Sequence, residues 1–337
     1  MKIKTSAALA LSAPVFLCAN AALAQGFSWE GEIELANESV LSSDDAAAEI
    51  RDTFAVITAS GAYSFGNGAG LFATVTAESL TDATDDRTFD DMGVYIEELG
   101  VSFGIGGSTT VSVGKLHPVF GTAWDDAAGY FGSSIAENYE LAEQIGILAD
   151  VELAGAGTLS FGVFYADDSG LSRSIGYDRG RTTTADGGAG NTGELDNFAI
   201  QWAQETGSTR FHIGARHLSA GTGDADDEQG FVAGFAHSFD GGFDLYGEAA
   251  SFSNAGGSAD DALYATLTGA YAIGSVTLSG GLVHRDLDTS GETDLITIGA
   301  DYEFANGATV SGGLARTDEA GIKSTVLGVN LVLPLGT

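Results

Sequence analysis

The connections between the predicted strands constrain this chain more than any other feature. About sixteen short segments between Phe27 and Leu333 have the pattern of β-strands. The connections between them alternate between tiny turns centred on Gly or Asn and longer loops rich in acidic and polar residues. A soluble sandwich has no reason to sort its loops in this way. A barrel threaded through a membrane does, because the rim facing the compartment of insertion keeps short turns while the other rim is free to elaborate.

The N-terminus has the pattern of a secretory signal peptide covering residues 1–24. Lys2 and Lys4 supply a positive start, and an apolar stretch too short to span a bilayer follows. A small-residue site at Ala22-Leu23-Ala24 predicts a mature chain that begins at Gln25. The single cysteine, Cys18, lies inside this peptide, so neither disulfides nor thiol chemistry is predicted for the mature protein.

Composition excludes several classes of function. The formal charge is −34, and loss of the two leader lysines makes it two units more negative. Such an acidic chain is a poor partner for nucleic acid or for an anionic membrane surface. No later segment approaches eighteen consecutive apolar residues, so helical membrane spans are not predicted. The 49 glycines and only three prolines favour a β-dominated fold.

Alternation of apolar and polar residues supports the strand assignments. Phe211, Ile213 and Ala215 alternate with Arg210, His212, Gly214 and Arg216, and similar patterns cover 159–165, 276–285 and 296–304. In a membrane barrel the apolar face meets lipid and the polar face lines a lumen. The polar positions here are mostly Gly, Ser and Thr with scattered charges, as a wet interior requires.

Aromatic residues gather near the ends of the predicted strands, where the interfacial girdles of membrane barrels belong. They are Phe27, Trp29, Tyr63, Phe65, Tyr165, Phe239, Phe243, Tyr271, Tyr302 and Phe304. Seven tiny turns and eight longer loops join the sixteen strands and place both termini on the short-turn side. The prediction is therefore an all-β, closed antiparallel transmembrane β-barrel over residues 25–337, wide enough to hold an aqueous channel.

One long connection differs from the others. The segment after the fifth strand, at about 117–145, is less polar and contains Trp124, Tyr130 and Phe131, with a short helix expected around Ile135 to Ile145. Aromatic side chains do not stabilise a loop when they are exposed to water. We therefore expect the loop to fold back into the barrel and pack these aromatics against the wall. The longest loop, Asp167 to Glu194, groups Arg173, Arg179 and Arg181.

The signal peptide, the sixteen strands and the long loop with Pro118-Val119-Phe120-Gly121 after strand five resemble the general porins of Gram-negative outer membranes. The run from Lys115 to Gly146 is most similar to porins of α-proteobacterial type. The resemblance implies a water-filled channel in the outer membrane, a homotrimer, and contacts with membrane lipid and lipopolysaccharide. It also implies that the third external loop narrows the pore.

The resemblance carries residue roles onto the matching segment. The acids of the constriction would be Asp125, Asp126, Glu137, Glu140 and Glu143. General porins set such acids against basic residues on the opposite wall. Alternation nominates four lumen-facing bases for that wall: Arg210, His212, Arg216 and Arg285. For each arginine, a strand-end charge or a partner of a loop carboxylate is an equal alternative.

Two acidic clusters raise the question of calcium. One contains Asp82, Asp85, Asp86, Asp90 and Asp91, and the other Asp224, Asp226, Asp227 and Glu228. Neither has the Gly and terminal Glu of an EF-hand loop. Weak binding of Ca²⁺ at Asp85, Asp86, Asp224, Asp226 and Asp227 is one hypothesis, and solvated loops without a metal are the favoured alternative. No cofactor is otherwise predicted.

The function that these patterns favour is passive diffusion of small hydrophilic solutes and ions, with mild cation selectivity from the acidic loop. No common catalytic signature is present, and the five histidines lack zinc-site spacing, so no enzymatic activity is predicted. A channel specific for a sugar or a metal chelate is an alternative, with Trp124, Tyr130 and Tyr139 as candidate sugar contacts. A structural or adhesive barrel acting through the 167–194 loop is another.

Overall fold

The computed structural model describes residues 26–336, and the predicted signal peptide and Cys18 lie outside this range. It is a closed antiparallel barrel of sixteen long strands, which confirms the predicted fold class. The strands are β1 Gly26–Ser43, β2 Arg51–Ser64, β3 Ala69–Ser79, β4 Met92–Ile105, β5 Thr109–Leu116, β6 Gln144–Glu152, β7 Thr158–Ala166, β8 Asn197–Thr206, β9 Thr209–Leu218, β10 Glu228–Phe239, β11 Phe243–Ser253, β12 Ala262–Ile273, β13 Val276–Leu287, β14 Gly291–Glu303, β15 Thr309–Glu319 and β16 Ile322–Leu335.

The barrel closes where the first strand meets the last. Gly31 of β1 pairs with Leu335 of β16, and the ladder continues to Ser43 and Ser324 with one bulge between Val40 and Ser42. Closure leaves no unpaired sheet edge for lipid to meet. Besides the pairings between neighbouring barrel strands, the described chain has two short ones. In these, Arg87–Thr88 lies beside β2 and Ile175–Gly176 lies beside β4. No helix within residues 26–336 is long and apolar enough to cross a membrane.

The apolar faces of the strands point outward, as predicted. Ile213, Leu278 and Ile296 are between 46% and 58% exposed on the outer surface of the isolated chain, which is the reverse of a dry core. Of the ten predicted girdle aromatics, all but Tyr165 lie at the short-turn rim. The apolar outer surface and this girdle are the features of a barrel embedded in a bilayer.

The strict alternation of short and long connections fails at the last two external connections. Residues 288–290 join β13 to β14, and residues 320 and 321 join β15 to β16. The polar residues around them, such as Asp286 and Glu292, belong to the ends of strands rather than to loops. These two connections are the shortest on the external rim.

The interior is not a packed core. Large buried apolar side chains cluster mainly where the connection between β5 and β6 meets the inner wall, and they include Phe120, Phe131, Tyr139, Phe252 and Tyr264. This contact positions the site described next.

Candidate channel constriction

The connection 117–143, called the constriction loop below, enters the barrel and lies along its inner wall. It contains a one-turn helix α1 at Ala123–Asp126 and a 3₁₀ turn at Ala136–Tyr139. The helix expected around Ile135 to Ile145 is thus only a 3₁₀ turn, because Gln144 already pairs with Leu116 as the start of β6. Gly121 has a φ of 70°, and a Cβ there would lie 2.8 Å from Oε1 of Glu248, so the chain can approach the wall only as glycine.

Glu248 of β11 is the principal anchor of the constriction loop. Its side chain is fully buried. Its Oε2 atom accepts hydrogen bonds from the backbone N–H of Thr122 at 2.7 Å and from the hydroxyl of Tyr246 at 2.9 Å, and it contacts Nε2 of His212 at 2.6 Å. Its Oε1 atom accepts the N–H of Ala123 at 3.2 Å and the Tyr139 hydroxyl. A buried carboxylate with five partners fixes the start of α1, because leaving any of them unpaired is costly.

A second anchor holds the 3₁₀ turn. Arg216 of β9 donates from Nη1 to the carbonyl oxygen of Tyr139 at 2.6 Å and from Nε to Oε1 of Glu228 at 2.7 Å. Its guanidinium lies over the rings of Phe120 and Phe252, at 4.7 and 4.5 Å from their centroids. Ion pairing and cation–π contacts in a dry setting bind the loop firmly to β9–β11.

The tip of the loop reaches the last two strands of the barrel, β15 and β16. Phe131 is only 2% exposed, and Tyr130 packs against glycines of β15 and β16. A Cβ on Gly313 would lie 2.7 Å from Cβ of Tyr130, and one on Gly328 would collide with the Tyr130 ring. The aromatics considered as sugar contacts are thus largely engaged in packing, since Tyr139 is 2% exposed and Trp124 is packed against the buried cluster.

The four predicted wall bases do not form an opposing basic wall. Arg210 pairs with Asp126 of the loop at 2.5 Å, His212 pairs with Glu248, and Arg216 holds Tyr139. Arg285 donates to Thr293 at 2.8 Å and lies 3.7 Å from Glu319. Arg210 thus follows the alternative considered for the arginines, pairing with a loop carboxylate, because the loop packs onto the strands that carry these bases. Alternation shows that a residue faces inward, but not which part of the wall the loop covers.

Three predicted loop acids are half-buried on the loop: Asp125, Glu137 and Glu140. Burial and the neighbouring Asp126 raise the pKa of Asp125 to about 6. Burial and repulsion from Glu140 raise the pKa of Glu137 well above its ordinary value. The pKa of Glu140 is also raised by burial, although His117 opposes the shift. Crowded carboxylates repel each other, and a cation close to them would relieve this repulsion.

Six glutamates that the sequence reasoning missed lie on the wall of β1, β3 and β4, and we call them the acidic wall: Glu32, Glu34, Glu38, Glu78, Glu97 and Glu98. Glu137 of the loop interacts electrostatically with Glu38 and Glu78. His117 lies 3.8 Å from both Glu97 of the wall and Glu140 of the loop. The loop and the acidic wall therefore face each other across a narrow gap.

The orientations of the wall acids are set by hydrogen bonds from neighbouring strands. Thr74 donates to Glu98 at 3.0 Å and Tyr95 donates to Glu78 at 2.7 Å. Alternation alone could have identified the glutamates of β1 and Glu78. Glu97 sits at a bulge, where the register shifts between Thr74 and Val75 and the two-residue period breaks.

The remaining predicted acid, Glu143, lies at the end of the loop rather than at its solvent face. It pairs with Lys115 at 2.6 Å and accepts two hydrogen bonds from Arg179, at 2.8 and 2.5 Å. The Arg179 guanidinium also stacks over Tyr95 at 4.0 Å. The long external loop between β7 and β8 thus inserts one arginine into the outer mouth and ties itself to the constriction loop.

The candidate calcium ligands act as acceptors for backbone N–H groups. Asp224 accepts from Gly188 and Gly221, Asp86 accepts from Arg51, and Asp227 accepts from Ala220. Within the part of the chain that the structure describes, no three His, Cys, Asp or Glu side chains are grouped to hold a metal ion. Asp85 and Asp226 are exposed on these loops.

Comparison with known proteins agrees with this geometry. Residues 5–321 match the family described as Gram-negative porin. An engineered variant of the Rhodobacter blastica porin has a similar structure, with a TM-score of 0.61 at 18% identity over 92% of this chain and 100% of that chain. The anion-selective porin from Comamonas acidovorans has a TM-score of 0.61 at 15% identity over 93% of this chain and 100% of its own. No curated protein sequence is significantly similar to this chain.

Proposed function

This chain belongs to the Gram-negative porin family, and on that premise we propose that it is a passive diffusion channel with a mild preference for cations. The family and the fold make it a channel protein of the bacterial outer membrane, embedded in lipid and crossed by solutes. The proposal adds the sign of the selectivity and the residues responsible for it.

One observation carries the proposal: carboxylates stand on both sides of the gap. The constriction loop contributes Asp125, Glu137 and Glu140. Of the acidic wall, Glu38 and Glu78 interact electrostatically with Glu137, and Glu97 interacts with Glu140. The bases that pair with acids of the loop or the wall include Lys115, His117, Arg179 and Arg210, and each lies within 4 Å of a carboxylate oxygen. The field in the gap is therefore negative, which concentrates cations and repels anions.

The expected selectivity is mild. The channel is wet, and salt at physiological strength screens charges over about 8 Å. Two unit charges separated by roughly 6 Å in water interact by about 0.7 kcal/mol, or a factor of about three in local concentration. A preference of this size sorts ions without blocking neutral solutes.

The sign of selectivity is a property of the lining charges rather than of the fold. The Comamonas acidovorans protein shares this barrel yet is described as anion-selective. General diffusion is favoured over a sugar-specific path, because Tyr130 and Tyr139 pack against the wall and glycines instead of lining an open track.

The test compares reversal potentials in a KCl gradient across planar bilayers. Wild-type protein should show a potential of the sign set by K⁺. The triple variant Asp125→Asn, Glu137→Gln and Glu140→Gln should bring it closer to zero. The matched control neutralises three exposed acids on external connections, Asp85→Asn, Asp226→Asn and Asp288→Asn, and should leave it unchanged. A wild-type potential of the sign set by Cl⁻ would overturn the proposal.

We also propose that the protein assembles as a homotrimer, as the porin family implies. In support, several polar side chains lie together on the outer faces of β1 and β2. They lie at the same height in the barrel as Val329 of β16, which also points outward. There Asn37 donates to Thr53 at 2.7 Å and Ser39 donates to Asn37 at 3.2 Å. Polar side chains are costly against lipid but acceptable against a neighbouring protomer. Sedimentation of the purified protein should give a trimer mass, and a monomer would contradict this part.

A further inference from the structure

A large chamber opens beside the constriction loop, on the side of the barrel where β1 meets β16. It has a volume of about 900 Å³ and lies between Phe131 of the loop, strands β1–β3 and strands β13–β16. Glu38 and Glu78 belong both to its lining and to the acidic wall. Its outer edge includes residues of the first two external loops, together with Ser290 and Ala320 of the two short connections. Because those connections are so short, the chamber is open to the exterior on that side.

The wall of this chamber is unusually apolar for the inside of a barrel. Its lumen-facing side chains include Val40, Phe54, Val56, Leu287, Leu295 and Val326. Elsewhere the lumen carries hydroxyl groups at equivalent inward positions, such as Thr74, Thr268 and Ser279. The interiors of membrane barrels are normally polar, and a concentrated apolar surface open to water marks a binding site.

The chamber is also negatively charged. Six acids line it, namely Glu38, Asp45, Asp52, Glu78, Asp82 and Glu319, against two bases. Arg87 is committed to Asp52, to which its Nε donates at 2.9 Å. Arg285 lies 3.7 Å from Glu319 and donates to Thr293. The excess charge at the outer edge falls on Asp45 and Asp82, which are exposed on the two external loops.

We propose that this chamber binds amphipathic organic cations from the exterior. The apolar body of the ligand would lie against Phe54, Leu80 and Leu287, and its cationic head would remain near Asp45 and Asp82. The volume suits one small molecule, since ligand pockets commonly enclose about 300–1,000 Å³ and combine apolar walls with a few polar groups. Binding here holds such solutes beside the entrance to the constriction, so the site adds a ligand class to a channel that otherwise selects by size and charge.

Calorimetric titration of the full-length barrel in zwitterionic detergent micelles tests this directly, with titration into empty micelles as the blank. The probe is benzyltriethylammonium. Tetramethylammonium keeps the charge without the apolar body, and benzenesulfonate keeps the ring with the opposite charge. Benzyltriethylammonium should bind at least about tenfold more tightly than either, because both ring burial and charge are required. If benzyltriethylammonium and tetramethylammonium bound equally tightly, binding would depend on charge alone and the apolar wall would have no role. That result would overturn the proposal.

Matched variants locate the binding. Ala48→Trp should fill the chamber and weaken benzyltriethylammonium binding about tenfold or more, whereas Ala46→Trp, on the same short turn but outside the lining, should not. Asp82→Asn should weaken binding, and Asp85→Asn in the same loop should not. Unchanged affinity in both Ala48→Trp and Asp82→Asn would place the ligand elsewhere and reject the site. Because calorimetry needs no ion flow, its result is separate from the conductance test of the channel function.

Discussion

Nη2 of Arg210 lies 2.5 Å from Oδ2 of Asp126, so the most exposed of the predicted wall bases uses its charge on an acid of the constriction loop. Replacing it by Arg210→Gln should leave the Asp126 carboxylate of the loop without this cationic partner. We expect the preference for K⁺ over Cl⁻ to rise by a factor of about three, the size of one unit charge at roughly 6 Å in water. Bilayer reversal potentials measure this. Arg316→Gln, which removes an exposed arginine on the outer face of β15, is the matched control; an equal effect of both variants would contradict the assignment.

The Glu248 anchor predicts a change in the order of the constriction loop rather than in barrel folding. Thr122 and Ala123 donate their N–H groups to different oxygens of Glu248. Glu248→Gln replaces one of those oxygens by an NH₂ group, so one of the two N–H groups loses its acceptor. The loss should destabilise the docked loop by about 1–3 kcal/mol, the cost of buried hydrogen-bonding groups left unsatisfied. Hydrogen exchange at residues 121–123 should accelerate, and open-channel current noise should increase. The exposed strand-end variant Glu303→Gln should do neither, and unchanged exchange in Glu248→Gln would show that the anchor is dispensable.

The raised pKa of Asp125, about 6, makes selectivity depend on pH. A carboxylate with a raised pKa loses its charge as the pH falls through that value, so cation preference should decline between about pH 7 and pH 5. Asp125→Asn should remove the part of the decline centred near pH 6. Asp260→Asn should leave the profile intact, because hydrogen bonds from Thr289 and Ser290 lower the pKa of Asp260, an exposed external acid. A profile flat from pH 7 to pH 5 in the wild type would refute this prediction.

The packing of Tyr130 on Gly328 predicts an effect of a single methyl group. Gly328→Ala places a Cβ in collision with the Tyr130 ring, so the loop tip must shift and the single-channel conductance should change. Gly312→Ala on the adjacent strand is the control, since its nearest neighbour would be 3.8 Å away. Overpacking of this kind costs about 1–3 kcal/mol. Identical conductance in the two variants would mean that Tyr130 does not position the loop.

The barrel itself could be predicted because lipid imposes a period of two on every strand, and Ile213, Leu278 and Ile296 follow it. The return of the constriction loop was expected from its aromatics, which have no use in water. The strands on which the loop packs could not be predicted. Alternation shows whether a side chain points inward or outward, but not where around the barrel the loop will contact it. Glu248 gives no local signal, since its role depends on Thr122 and Ala123, more than a hundred residues earlier. The short connections at 288–290 and 320–321 were missed because polar strand ends, such as Asp286 and Glu292, cannot be told from loops in the sequence.

The central claim is that carboxylates on both sides of the constriction make this porin prefer cations. Its most direct test is the zero-current potential of the wild-type channel in a KCl gradient at neutral pH. A potential with the sign of the K⁺ equilibrium potential, well short of its full value, is the predicted result. A potential of the opposite sign, or one that is zero, would contradict the account.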